Sequence, residues 1–340
     1  MRRASSAALL AFLSLGASNV PPVNDALILG DTLPPRLSEF HLLFGKQGGE
    51  PATMLKPYSL ATPLFSDYAE KFRYAYLPPG KRIVYRADGV IAFPVGSVLI
   101  KSFGYPADFR KPTENLRILE TRLLIHRASG WIALPYVWNA DGSDAELKRA
   151  GTRIDVRWTH SDGSARAISY AVPNVNQCKA CHSLDGAMTP IGPKARNLDP
   201  AFLRSANIEG LPSRIDPLPV WNDPSSGSLD ARARAYLDVN CAHCHNPKGS
   251  ASNSGLFLGW EQKNPVTFGV GKRPVAAGQG AGQSLFDIAA GHPEQSILLY
   301  RLASIEPGIA MPELGRATAH GEALALLTQW IKAMPAKDAQ

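Results

Sequence analysis

Thr152-Arg-Ile-Asp-Val-Arg-Trp-Thr-His-Ser-Asp-Gly-Ser-Ala-Arg-Ala-Ile-Ser-Tyr-Ala-Val-Pro-Asn-Val-Asn-Gln-Cys-Lys-Ala-Cys-His182 decides the fold, because two kinds of order meet in it. From Thr152 to His160 the side chains alternate. Ile154, Val156 and Trp158 share one face and Arg153, Asp155 and Arg157 the other, the period of a half-buried strand. Ser161-Asp162-Gly163 is turn chemistry that sends the chain back through Ala165 to Val172. At Pro173 the alternation stops, and a cysteine motif follows at once.

Upstream, the same period recurs. Arg82 to Arg86 and Val90 to Phe93 flank Ala87-Asp88-Gly89, a hairpin signal. Ser97 to Phe103, Arg117 to His126 and Trp131 to Trp138 read as further strands. The spacing predicts an antiparallel sheet or sandwich over about 55–175, inside a β-rich domain at 30–175. Downstream the period changes to that of helices. Leu229, Ala233, Tyr236 and Leu237 lie at helical spacing, with Ser228 or Asp230 as cap, and the helix delivers the chain into Cys241. Glu294 to Ser304 reads as a second helix. Leu324, Leu327, Trp330 and Ile331 form the apolar stripe of a closing one. The expected fold class is α+β multidomain: an N-terminal antiparallel β-rich domain followed by an all-α domain at 228–335. A first motif segment at 176–210 and a Pro/Ser-rich, semi-stiff connector at 211–227 lie between.

The chain has four cysteines, and both pairs are spaced alike: Cys178-Lys-Ala-Cys181-His182 and Cys241-Ala-His-Cys244-His245. Two disulfides are the ordinary reading of four cysteines in an exported chain. A zinc site from two such knuckles wants roughly 15–20 residues between them, whereas Cys181 and Cys241 stand 60 apart. A thioredoxin-like pair would need a βαβ context that is absent. C-x-x-C-H is the attachment signature of c-type haem: two thiols add across the porphyrin vinyls, and the adjacent histidine reaches the iron. Cys178, Cys181, Cys241 and Cys244 are therefore expected to bind two covalent haems, with His182 and His245 as proximal ligands. Met311, in Ala310-Met-Pro-Glu-Leu-Gly315, follows His245 by 66 residues and is the expected distal ligand of the second haem; a thioether there raises the potential relative to two imidazoles. Met334 reads as packing, His243 as pointing away from that iron, and His320 as the start of the last helix.

Residues 228–335 resemble a monohaem cytochrome c domain. Most of the chain resembles a proteobacterial dihaem c-type cytochrome family of uncharacterised role. The phrases that carry this are Thr62-Pro-Leu-Phe-Ser-Asp-Tyr-Ala69, Glu120-Thr-Arg-Leu-Leu124, Pro173-Asn-Val-Asn-Gln177 leading into the first motif, Gly192-Pro-Lys-Ala-Arg-Asn-Leu198 and Met311-Pro-Glu-Leu-Gly-Arg316. The resemblance implies haem and electron transfer, with periplasmic redox proteins as partners and a parallel β-helix-repeat protein as a further candidate.

The first haem has no Met-Pro at the usual distance. His160, His126 and Met188 are its candidate distal ligands, ahead of Met54, His41, His292 or no protein ligand. An open sixth position would make the protein a haem enzyme. Phe93-Pro94-Val95-Gly96 weakly echoes the cytochrome P460 group, where Lys101 would be the lysine to inspect, and dihaem peroxidases are another option. Three functions stand: an electron carrier, a haem enzyme open at its first iron, and a β domain that docks a protein partner. Arg196, Arg316 and Trp260 are candidate propionate contacts.

Composition narrows the setting. The 340 residues carry a formal charge of +7, 45% apolar and 19% charged side chains, which excludes disorder and small disulfide scaffolds. The basic residues are scattered, so nucleic acid is not an expected partner. Met1 to Ser18, with Arg2-Arg3 before an apolar run, reads as a secretory signal at 1–18. Its removal leaves 34 basic and 29 acidic residues, +5. No later stretch reads as a membrane helix, and the expected location is the periplasm.

Overall fold

The computed structural model describes residues 20–86 and 88–336. The expected signal at 1–18 and Ala87 of the expected turn lie outside the described residues.

The chain is mixed α and β, with a β-rich antiparallel N-terminal part and few helices. Its main sheet has six strands in the spatial order Ala145–Leu147, Gly130–Trp138, Arg117–Arg127, Val98–Tyr105, Glu70–Tyr76 and Lys56–Pro57, every neighbour antiparallel. Three of these match the expected strands within two residues. Glu70–Tyr76 is new, and it lies next to the edge strand Lys56–Pro57. Tyr74 and Tyr76 pack there into the core beneath the N-terminal segment, while Lys71 and Arg73 lie on the opposite face and keep some accessible surface.

The alternating pair Thr152–Thr159 and Ala165–Val172 forms the expected hairpin, in register from Thr152 opposite Val172 to Thr159 opposite Ala165. It joins no edge of the main sheet. Val156, Trp158, Tyr170 and Val172 instead pack onto Phe103, Tyr105 and Leu119 of the sheet's face. That arrangement buries two apolar faces at once, each Val or Leu contributing about 1.5–3 kcal/mol. Ile83–Tyr85 and Ile91–Ala92 also pair as expected, and with Ile208–Glu209 they make a separate three-stranded sheet. The other face of the main sheet is covered by the N-terminal segment: Ile28, Leu37, Phe40 and Leu42 pack on Val98, Ile100, Leu123 and Tyr136.

Among the described residues beyond Ile208–Glu209 there are only isolated bridges and no further strand. The helices Leu229–Asn240, Ile297–Ala303 and Gly321–Lys332 surround a core of Ala233, Tyr236, Leu237, Phe268, Leu302, Leu327 and Trp330. Ser228 is the cap, accepting from the Ala231 amide at 3.1 Å. Asp230 acts at longer range, because its carboxylate accepts from Trp330 Nε1 at 2.8 Å and ties the first helix to the last. No helix among the described residues is long and apolar enough to cross a membrane.

One loop joins the two halves. Thr62 is fully buried; its hydroxyl donates to the Pro219 carbonyl at 2.7 Å and accepts from the Trp221 amide at 3.1 Å. The Phe65 amide donates to Asn240 Oδ1 at 2.7 Å, and the Phe65 ring stacks on His320 at 4.0 Å. Asp67 accepts from the amides of Ala317 and Thr318, and Tyr68 Oη donates to Glu322 Oε2 at 2.8 Å. Asp67 and Tyr68 both hold positive φ, 52° and 67°, a conformation that side chains other than glycine adopt only where the surroundings fix it. These bonds fix it.

Candidate functional site

The second motif is placed by the helix that precedes it. Leu229–Asn240 ends at Cys241, whose amide still donates to the Leu237 carbonyl at 2.9 Å, and the His245 amide donates back to Cys241 at 2.9 Å. This tight turn sets Cys241, Cys244 and His245 along the wall of one cavity of about 560 Å³. Met311 lines the same cavity. Its segment is held by the Met311 amide donating to the Arg301 carbonyl at 3.0 Å, and by Arg316, whose guanidinium donates to the carbonyls of Leu302, Arg301 and Ser304 at 2.9, 3.0 and 2.6 Å. Volume and lining suit a small-molecule site.

The first motif is placed by the hairpin. After Val172 the helix Val175–Cys181 begins with a reciprocal cap between Asn174 and Gln177, the pattern that satisfies two end amides at once. It packs on the strand Gly130–Trp138. His182 follows, and its Nδ1 meets the Thr189 carbonyl at 3.0 Å. That contact fixes Nδ1 as the protonated nitrogen and leaves Nε2 with its lone pair, the arrangement metal-ligating histidines use. His245 is similar: Nδ1 lies 3.3 Å from Ser254 Oγ.

The two motifs meet. Ala180 and Cys181 of the first line the cavity that holds the second. The Asp185 amide donates to the Lys248 carbonyl at 3.0 Å, and Lys248 Nζ pairs with the Asp185 carboxylate at 2.9 Å. His243, between the second pair of cysteines and expected to point away, lines the same cavity, with Nδ1 buried and unpartnered.

Burial dominates the electrostatics. It pushes the thiols of Cys241 and Cys181 up to about 12 and about 11, and that of Cys178 upward as well. It draws His182 down to about 3 and lowers His245. All four cysteines are free thiols, Cys178 buried and the others half-buried. Thiols, an imidazole and a thioether in one cavity form a donor set suited to covalent attachment and metal ligation. Among the described residues no three His, Cys, Asp or Glu converge as a bare-ion site.

The other candidates lie elsewhere. His160 Nε2 lies 3.2 Å from Glu322 Oε1, with Tyr68 packed edge-on at 4.7 Å. His126 bonds the Phe93 carbonyl through Nδ1 at 2.8 Å and stacks on Trp131 at 4.5 Å. Met188 pairs with Ser183 in a two-residue hairpin, beside the carbonyl that holds His182. Arg196 is paired with Asp238 and Glu261, and Arg316 with carbonyls, so both are structural clamps here and not surface residues free to meet a ligand. Trp260 lies outside the cavity lining, its amide bonded to Asp238 at 3.1 Å. His320 caps the last helix, as expected. Sequence reasoning missed Arg301, in the cavity wall, and the arginines Arg73 and Arg122 that flank Lys101 on the sheet. No local signal marks that pair, because only the register between strands aligns them.

Comparison with protein-family models, curated proteins and solved structures finds no match to this chain.

Proposed function

We infer that the chain is an exported dihaem c-type cytochrome that carries electrons between periplasmic redox proteins. The observation that carries this reading is the convergence of Cys241, Cys244, His245 and Met311 on one cavity of about 560 Å³, although Met311 comes from a segment remote in sequence. In this reading 228–335 is a cytochrome c domain. A bound haem would supply a one-electron iron couple. The chain's part would be to hold it: Cys241 and Cys244 by thioethers, His245 with its ring oriented through Nδ1, and Met311 through its sulfur. Cys178, Cys181 and His182 would do the same for a second haem, with His182 oriented by the Thr189 carbonyl.

Two features support transfer between the sites. Cys181 borders the cavity of the second motif, and the Asp185–Lys248 pair clamps the two attachment loops together. Attachment loops held against each other favour transfer without motion of either half. A second reading, a haem enzyme with an open first iron, draws support from the positions of His160 and His126, whose rings are engaged with Glu322 and with Phe93 and Trp131.

The test is a count of covalent haem per chain followed by a carbon monoxide difference spectrum on the reduced protein. Two haems are expected, with the second blind to carbon monoxide. If the first binds it stoichiometrically, the enzyme reading replaces the carrier; a chain with no covalent haem ends both.

A further inference from the structure

The sheet face beneath the first motif carries a row of cations. Arg73 stands directly opposite Lys101, and Lys101 directly opposite Arg122, in the register of three neighbouring strands. Lys71 lies two residues along from Arg73 on the same face. Both Lys101 and Arg122 lie over the Phe103 ring, at 5.5 and 4.3 Å, which confirms the shared face. Like charges directly opposite one another destabilise a sheet, and charge away from water is costly unless it is paired.

Counter-charge on this face is short. Glu120 is fully buried and already engaged: it accepts from Arg122 Nε at 2.9 Å and from Tyr170 Oη at 2.6 Å. Among the described residues the Arg73 guanidinium donates only to the Lys71 carbonyl, at 3.3 Å. Neither lysine ammonium has a hydrogen-bond or ion-pair partner among the described residues. Yet Lys71, Arg73, Lys101 and Arg122 all keep some accessible surface, so solvent reaches the row. The charges of Lys101 and Arg122 act on His182 and on the Cys178 and Cys181 thiols, which places the row beside the first motif.

We propose that Arg73, Lys101 and Arg122, with Lys71, form an oxyanion-binding site that takes a carboxylate or a small inorganic oxyanion beside the first motif. Guanidinium forks and ammonium groups in one row match such anions through charge-assisted hydrogen bonds. The anion has two sources. It can be the propionates of a haem attached at Cys178 and Cys181, an arm that rests on the haem reading, or a free anion from solution, which does not.

The experiment uses the full chain with its haems counted, and the variants Lys101→Met and Arg73→Gln. The readings are the thermal midpoint in sodium nitrate against sodium chloride at equal ionic strength, and the reduction potential of each haem. A free anion gives a saturable rise of the midpoint with nitrate in the wild type, at least tenfold weaker in either variant. Bound propionates give no nitrate effect, a lower midpoint in both variants, and a lower potential at the first haem only, because a cation beside the iron is lost. The proposal is overturned if the variants raise the midpoint, the sign of relieved repulsion, or lower it with neither a nitrate effect nor a change of potential, the sign of lost packing alone. A chain without haem that still shows the saturable nitrate effect sinks the haem reading and keeps the oxyanion site.

Discussion

The two C-x-x-C-H segments share one spacing of thiols and imidazole and are structurally opposite. The second is delivered by a long helix into a region where its cysteines, its histidine and Met311 line a single cavity within one helical core. The first leaves a β-hairpin through a seven-residue helix and rests on a sheet whose relevant side chains come from strands some 50–110 positions upstream. A site built from neighbours in one small core is specified by spacing. A site built against a sheet is specified by which strands pair, and the residues that finish it carry no motif.

That contrast can be broken most directly at the methionines. Met311→His is expected to lower the second haem's potential by on the order of 0.1–0.3 V, within the roughly 0.8 V that axial ligands span. Met188→His should leave both potentials unchanged, since Met188 sits on the side of the His182 ring already held by Thr189. A potentiometric titration of both variants decides it; an unmoved second potential would mean that Met311 never reaches the iron.

Acid sharpens the contrast at the junction between the halves. Burial draws His320 down to about 4 from an ordinary 6.5, with Glu322 opposing and Lys71 assisting. Its folded value is the lower one, so the unfolded chain binds more protons between the two. Stability from this group is therefore whole above pH 6.5 and is lost as pH falls toward 4, by roughly 3 kcal/mol at most. Denaturant midpoints across that window should fall, and His320→Phe, which keeps a ring against Phe65, should flatten the slope.

Thr62→Val removes the hydroxyl that bridges Pro219 and Trp221 while keeping its volume, leaving a buried carbonyl and amide unpaired. The expected cost is about 1–3 kcal/mol, read from chemical denaturation. Because Thr62 holds the sheet to the segment between the motifs, the variant should disturb the first haem's spectrum more than the second's. Equal disturbance of both would argue that the two sites are one cooperative unit.

Much of the fold was legible locally. The hairpin ending at Val172, the strands Arg117–Arg127 and Gly130–Trp138, and the helices on either side of the second motif follow from period and capping, which act over a few residues. Glu70–Tyr76 was not legible, because Lys71 and Arg73 on the face opposite Tyr74 and Tyr76 break up the apolar run expected of a strand inside a sheet. Asp230 was readable as a cap and is instead the partner of Trp330, a residue 100 positions away. The phrase Thr62–Ala69 stood out as sequence, yet its role as the joint between the halves emerges only from Asn197, Pro219, Asn240 and Ala317, which no spacing connects to it.

By itself the sequence determined the local grouping on which the haem proposal rests: bond connectivity places C-x-x-C-H thiols and imidazole within one turn of chain whatever surrounds them. Tertiary structure alone decided what those groups face. It brought Met311 into the cavity of His245, set Cys181 at that cavity's edge, engaged His160 and His126 elsewhere, and aligned Arg73, Lys101 and Arg122 across three strands. The reason is physical: strand register and helix packing are settled by the burial of whole apolar faces, a sum over the entire chain that no short segment contains.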